Sequence, residues 1–359
     1  MKTVGFLLTK AITRVLPFLL LLSCISPIEV IVENKGGQVV ISGQVSSLPD
    51  RTMIEIGRTA YKQLPSPESG ASILLLNQNG TTFFFQETSL GVYSVPGFQG
   101  VPGQTYHVEI TLTNGATYRS TPEVMPSFAP PVEVKHEFVE KVVTDSDGAN
   151  LPEKFVHIYA STTLPQEWKD RYINWTVEEV FLLTPTDFPD PFGFVPPPCF
   201  VYQKADPNRV ALLDGTRLTI DRIEKELVCA RIVDRSFLEK HYFNTYQSSI
   251  TDEAYEYWRK VNILANQTGS IFDTPPAQII GNIKNINNPS EKVWGYFQAT
   301  HESMDRFVLY PTDFPYRVFF PFEDCTYYES RFFQTPSYPQ YCYDCTLYRN
   351  SSYKRPDWF

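Results

Sequence analysis

Ser72-Ile73-Leu74-Leu75-Leu76-Asn77-Gln78-Asn79-Gly80-Thr81-Thr82-Phe83-Phe84-Phe85 is two apolar runs around an Asn-Gly pair. Asn and Gly both tolerate positive φ, so the pair closes a two-stranded hairpin. Asn114-Gly115 repeats the signal between apolar runs at 106–112 and 117–120. Further strand-like runs stand at 39–45 and 53–56. Six short strands over residues 37–122 predict a sandwich of the immunoglobulin-like kind. Four prolines between 122 and 131 then predict a Pro-rich linker at 123–131.

Composition supports a mostly β fold. The chain has 26 Phe, 21 Tyr and 29 Pro against 4 Met, and aromatic side chains suit pleated, half-buried surfaces. Beyond residue 132, runs at 134–143, 155–159, 173–183 and 227–233 again read as strands, and 184–198 as a Pro-rich loop. One helix stands out, expected at 252–266. Thr251 is its N-cap, and Asp252 and Glu253 sit at the positive end of its dipole. Ala254, Trp258, Val261 and Ala265 recur on one face, and Gly269 stops it. The expected architecture is therefore an immunoglobulin-like sandwich followed by a larger β-rich domain at 132–359. The second domain carries one prominent helix and a disulfide-tied C-terminal tail.

The start of the chain supplies an address. Lys2, Lys10 and Arg14 precede a short apolar core that ends in Leu21-Leu22-Ser23-Cys24. That core is too short to span a bilayer and reads as a secretory signal at 1–23. Ser23-Cys24 looks like a bacterial lipobox, with Cys24 acylated (a palmitate-type lipid anchor) and residues 24–36 as a tether. Cleavage before Cys24 removes three basic and no acidic residues, taking the formal charge from −9 to −12. So acidic a chain argues against nucleic acid as partner and against a polybasic membrane anchor.

An extracytoplasmic address makes disulfides the default. Of the five remaining cysteines, Cys229 lies in a run that reads as a buried strand and is expected to stay reduced. Cys342-Tyr343-Asp344-Cys345 has three readings. A redox pair needs a strand-to-helix turn, a zinc ribbon needs a second Cys pair, and a structural disulfide needs only a partner. The surrounding Tyr and Pro favour the third, with Cys199 and Cys325 as partners and the connectivity open.

Several stretches together carry a family resemblance. They are Ser249-Ile250-Thr251-Asp252-Glu253-Ala254-Tyr255-Glu256-Tyr257-Trp258, Thr268-Gly269-Ser270-Ile271-Phe272-Asp273 and Pro275-Pro276-Ala277. Gly281-Asn282-Ile283 and Val293-Trp294-Gly295-Tyr296-Phe297 follow. The opening Cys24-Ile25-Ser26-Pro27-Ile28-Glu29 and the closing Pro356-Asp357-Trp358 belong to the same pattern. The chain resembles a family of Bacteroidetes outer-membrane lipoproteins catalogued as domain of unknown function 4249. The resemblance implies an outer-membrane location and genes beside TonB-dependent transporters. It brings no activity and no functional residues.

Catalytic motifs are sparse. His301-Glu302-Ser303-Met304-Asp305 begins like a zinc-protease helix, but Asp305 stands where the second histidine belongs. Asp145-Ser146-Asp147-Gly148-Ala149-Asn150 has the flavour of a calcium loop without its later bidentate Glu. Glu178 and Glu179 fall on opposite faces of a strand and cannot act as a glycosidase pair. No cofactor or metal is expected. The remaining candidate is an aromatic tail, in which Tyr327, Tyr328, Phe332 and Tyr341 would either line a ligand groove or serve as core and loop packing in a Pro-rich region. The resemblance, taken with these sparse motifs, implies a lipid-anchored, non-enzymatic accessory protein of a TonB-dependent uptake system, serving ligand capture or transporter assembly. A surface hydrolase and a structural envelope protein are the alternatives.

Overall fold

Both Asn-Gly pairs close hairpins. In the computed structural model Leu76 faces Thr82 across the first, and Thr111 faces Thr117 across the second. Gly80 and Gly115 adopt φ of 77° and 84°, the left-handed geometry such turns demand. The structure describes residues 37–60, 63–144, 148–165, 168, 172–183, 197–266, 279–318 and 344–359. Cys24, the tether, Cys325, Cys342 and the aromatic candidates Tyr327, Tyr328, Phe332 and Tyr341 lie outside the described residues. So do Asp145, Ser146 and Asp147.

The first ten strands are β1 (Val39–Ser46), β2 (Met53–Ala60), β3 (Gln63–Pro67), β4 (Ser72–Asn77), β5 (Thr82–Phe84), β6 (Gln86–Ser89), β7 (Val92–Ser94), β8 (Thr105–Thr111), β9 (Thr117–Ser120) and β10 (Glu123–Val124). The next ten are β11 (Val132–Thr144), β12 (Asn150–Thr163), β13 (Tyr172–Leu183), β14 (Cys199–Lys204), β15 (Ala211–Asp214), β16 (Arg222–Ile232), β17 (His241–Ser249), β18 (Ile283–Asn285), β19 (Phe297–Leu309) and β20 (Ser351–Ser352). One α-helix, Asp252–Ala265, stands among the described residues, and Thr251 caps it by accepting from the Ala254 amide.

An eleven-stranded sheet runs through the molecule in the order β20-β14-β13-β17-β19-β1-β2-β7-β6, with β15 on β13 and β3 on β2. β19 is its central joint: residues 297–300 pair in parallel with β1, and 301–309 pair antiparallel with β17. A six-stranded sheet, β18-β9-β8-β4-β5 with β10 on β8, packs against the β1–β2 end. Ile41, Ile54 and Phe297 meet Leu75, Val108 and Ile110 there in one core. The three-stranded sheet β11-β12-β16 packs on the β13–β17 end, where Val156 and Ile158 meet Ile173, Trp175 and Phe243.

Phe297 and Ala299 enter the first core and Phe307 and Leu309 border the second. All four are odd-numbered on one strand, so both smaller sheets cover the same face of the large one. The even-numbered face holds the helix, through Trp258 Nε1 donating to Gln298 Oε1 at 2.8 Å and Tyr257 packed on Tyr296. The expected linker at 123–131 is anchored: Met125 is buried, and the Pro126 and Pro130 carbonyls accept from His301 and Gln247. A disulfide between Cys199 and Cys345 ties the tail to β14, beside the β14–β20 pairing. Cys229 is free and buried, and burial pushes its thiol well above the usual range.

Candidate functional site

β13, β17 and β19 lie in uninterrupted antiparallel register, which sets their even-numbered side chains in rows across the outer face. Asn174, Ser248 and Glu302 form one row, and Thr176, Tyr246 and Met304 the next. Glu178, Asn244 and Arg306 follow, then Val180, Tyr242 and Val308. The loop between β1 and β2 delivers Arg51 onto the first three rows.

Arg51 grips Glu302 side-on, with Nε 3.0 Å from Oε2 and Nη2 3.3 Å from Oε1. Its Nη1 reaches Glu178 at 2.9 Å, and the guanidinium lies 3.3 Å from the centre of the Tyr246 ring. Glu302, with 0% of its side chain exposed, also accepts from the hydroxyls of Ser46 and Ser248. A carboxylate so deep in the protein is tolerable only because every lone pair meets a donor and its charge meets a cation. Burial, with Glu178 nearby, pushes the Tyr246 hydroxyl up to about 12. This centre is a clamp that fastens the β1–β2 loop to three strands.

Next to it the pattern changes. Arg306 donates from Nε to Asn244 Oδ1 at 2.5 Å and stacks 3.5 Å from the Trp358 ring centre. Trp358 meets Tyr242 edge to face at 5.3 Å, and Phe359 sits against Phe200 and Tyr242. Lys240 stands 4.0 Å over the Phe359 ring. The docked tail and the outer rows thus make a strip of aromatic rings topped by two cations. Burial lowers the Arg306 pKa, because the guanidinium loses water without gaining a carboxylate.

The inner face is different. Glu179 and His241 are both fully buried, with His241 Nε2 3.0 Å from Glu179 Oε2, and Arg231 Nε donates to the same oxygen at 2.7 Å. Gln203 donates to Oε1 at 2.6 Å, and Phe237 and Phe243 both pack on the imidazole. Burial alone would raise the Glu179 pKa, but His241 and Arg231 hold it below the ordinary value. The group is enclosed by the second core and packs rather than reacts. Glu123 is a third buried carboxylate, bound by Tyr296, Thr251 and Asn282, none of them cationic, and burial pushes its pKa up. It joins the helix N-cap to the sandwich.

Of the sequence-predicted site residues, the structure joins Cys199 to Cys345 and describes none of the others. His301 and Glu302 are neighbours on β19, so their side chains leave on opposite faces and no zinc-protease helix forms. Among the described residues no group of three His, Cys, Asp or Glu side chains is placed to hold a metal. Arg51, Asn244 and Arg306 were not singled out from sequence, and Trp358 entered only as part of the family pattern. β17 and β19 carry polar residues at both odd and even positions, so no alternation marked the site, and Arg51 meets Glu302 from 251 positions away.

No curated protein matches the chain. A family model, described as a domain of unknown function (DUF4249), matches residues 25–306, a stretch that takes in the clamp and Arg306. That span is most of the sequence, so the chain belongs to the DUF4249 family.

Proposed function

We propose that this protein is a lipid-anchored outer-membrane accessory of a TonB-dependent uptake system, acting by non-enzymatic ligand capture. The observation that carries the capture reading is the outer-face strip, where Arg306 and Lys240 lie over Trp358 and Phe359 with no ion pair to a carboxylate among the described residues. Rings with adjacent cations suit recognition of a flat, anionic ligand. The buried carboxylates Glu179, Glu123 and Glu302 are each committed to fixed partners. The lipid anchor rests on Leu21-Leu22-Ser23-Cys24. No helix among the described residues is long and apolar enough to cross a membrane. In this reading acylation of Cys24 supplies the attachment.

The test is affinity purification of the tagged protein from its native envelope in mild detergent, with mass spectrometry of what accompanies it. Stoichiometric recovery of a TonB-dependent transporter, together with release of a Cys24→Ala variant from the membrane, is the expected outcome. Recovery of the protein alone, or a Cys24→Ala variant that stays membrane-bound, overturns the reading.

A further inference from the structure

We propose that Arg306, Asn244 and Trp358 form a binding point for the carboxylate of a small, flat ligand on the outer face of the large sheet. This rests on the ligand-capture reading and gives it a chemical class and a place.

Arg51, Arg58 and Arg231, the comparable half-buried guanidinium groups, each hold a carboxylate: Glu302, Glu68 and Glu179. Arg306 holds none among the described residues. Its one side-chain hydrogen bond among the described residues, Nε to Asn244 Oδ1, fixes the plane of the group, and Trp358 covers one side of it. Nη1 and Nη2 remain, two parallel donors spaced to take both oxygens of a carboxylate end-on. Asn244 is 3% exposed, and its carbonyl oxygen is spent on Arg306. Its amide NH2 makes no bond to any described residue.

The local charge favours an anion. Glu178 stands across from Asn244 and shares the single charge of Arg51 with Glu302, sealed beneath the same guanidinium, so the clamp carries one net negative charge that Arg306 and Lys240 must exceed. Lys240 adds a further cation over the neighbouring Phe359 ring. Arg51, Arg306 and Lys240 therefore outweigh Glu178 and Glu302 on a chain whose formal charge is −9. The low pKa direction of Arg306 agrees: a half-desolvated cation without a counter-charge is a cost that an arriving carboxylate would remove. Trp358, 37% exposed and edge-on to Tyr242, offers the surface on which the ligand's flat body would lie.

Benzoate is the probe, benzamide its neutral isostere and inorganic phosphate the tetrahedral anion, each titrated into the full chain in detergent. The readout is the arginine Nε–H and indole N–H signals in NMR. Saturable shifts of the Arg306 and Trp358 signals by benzoate are expected, with benzamide at least about tenfold weaker, as loss of a bidentate charge-assisted pair implies. Arg306→Gln should weaken benzoate by a similar factor, and Arg306→Lys by less. Benzamide equal to benzoate, phosphate in place of benzoate, or an Arg306→Gln variant that binds benzoate unchanged would each overturn the proposal. The wild-type comparison needs no variant to fold. Because purified chain suffices, failure here is distinct from failure to recover a transporter.

Discussion

Arg51→Met removes the cation from a fully buried carboxylate while keeping an apolar stem of similar length. In the parent, Glu302 takes two hydrogen bonds from Arg51 and one each from Ser46 and Ser248. The variant leaves the hydroxyls and no positive charge. Breaking a buried pair in this way costs about 3–5 kcal/mol. Glu178, with 35% of its side chain exposed, turns to water and adds under about 1 kcal/mol. With a urea dependence of about 3 kcal/mol per molar, a loss of about 4 kcal/mol moves the unfolding midpoint down by over 1 M, followed by circular dichroism. Arg51→Met combined with Glu302→Gln should regain about 2 kcal/mol, because the orphaned charge is gone. A midpoint shift below about 0.3 M, or a double variant as unstable as the two single losses added, would refute charge neutralisation as the purpose of the clamp.

Three further outcomes can be checked on the same protein. Glu179 has a folded pKa held below its ordinary 4.5, so its stabilisation is complete above that value and is lost as pH falls through the folded pKa. The stability gap between parent and Glu179→Gln, measured by urea titration at several pH values, should therefore shrink below about pH 4.5; a gap independent of pH contradicts this. Cys345→Ala opens a disulfide between residues 146 positions apart and should cost about 2–4 kcal/mol. Limited proteolysis should then cut first within residues 344–359, and unchanged protection of that tail would count against its docking through the disulfide. A Cβ on Gly281 would overlap the Gly295 carbonyl oxygen, whereas one on Gly80 meets open space. Gly281→Ala should cost about 3 kcal/mol and Gly80→Ala about 1 kcal/mol, the latter only for its positive φ, so equal melting-temperature losses would be the wrong result.

Hairpins, helix and outer strands were legible because their physics is local. Asn-Gly turns set the β4–β5 and β8–β9 registers, and Thr251 with the residues after it starts the helix at Asp252 as read, with an end at Ala265. Alternation placed Glu178 and Glu179 on opposite faces of β13. The two strands at the middle of the large sheet were illegible for the opposite reason. β17 reads His241-Tyr242-Phe243-Asn244-Thr245-Tyr246-Gln247-Ser248-Ser249, and all but Tyr242 are buried. Hydrophobic periodicity fails when buried positions are polar and satisfied by distant partners, as Gln247 is by Trp175, Pro130 and Thr162. The same non-local pairing hid the clamp, since Arg51 and Glu302 are 251 positions apart.

Those buried polar side chains also fix how the central strands pair. A slip of β19 by one residue would turn Glu302 into an apolar core and bring Phe307 to the outer face. The clamp thus specifies register, and the register that seats Glu302 under Arg51 sets Arg306 beside Asn244, two rows along. Arg306 differs from Arg51 in one respect that decides its role: removing it orphans no buried carboxylate among the described residues. Arg306→Gln should therefore cost only the Trp358 stacking and one hydrogen bond to Asn244, about 1 kcal/mol together, a quarter of the Arg51 effect. A loss as large as that of Arg51→Met would make Arg306 a second structural clamp. A small loss, combined with the tenfold drop in benzoate binding, separates the guanidinium that holds the sheet together from the one left free to meet a ligand.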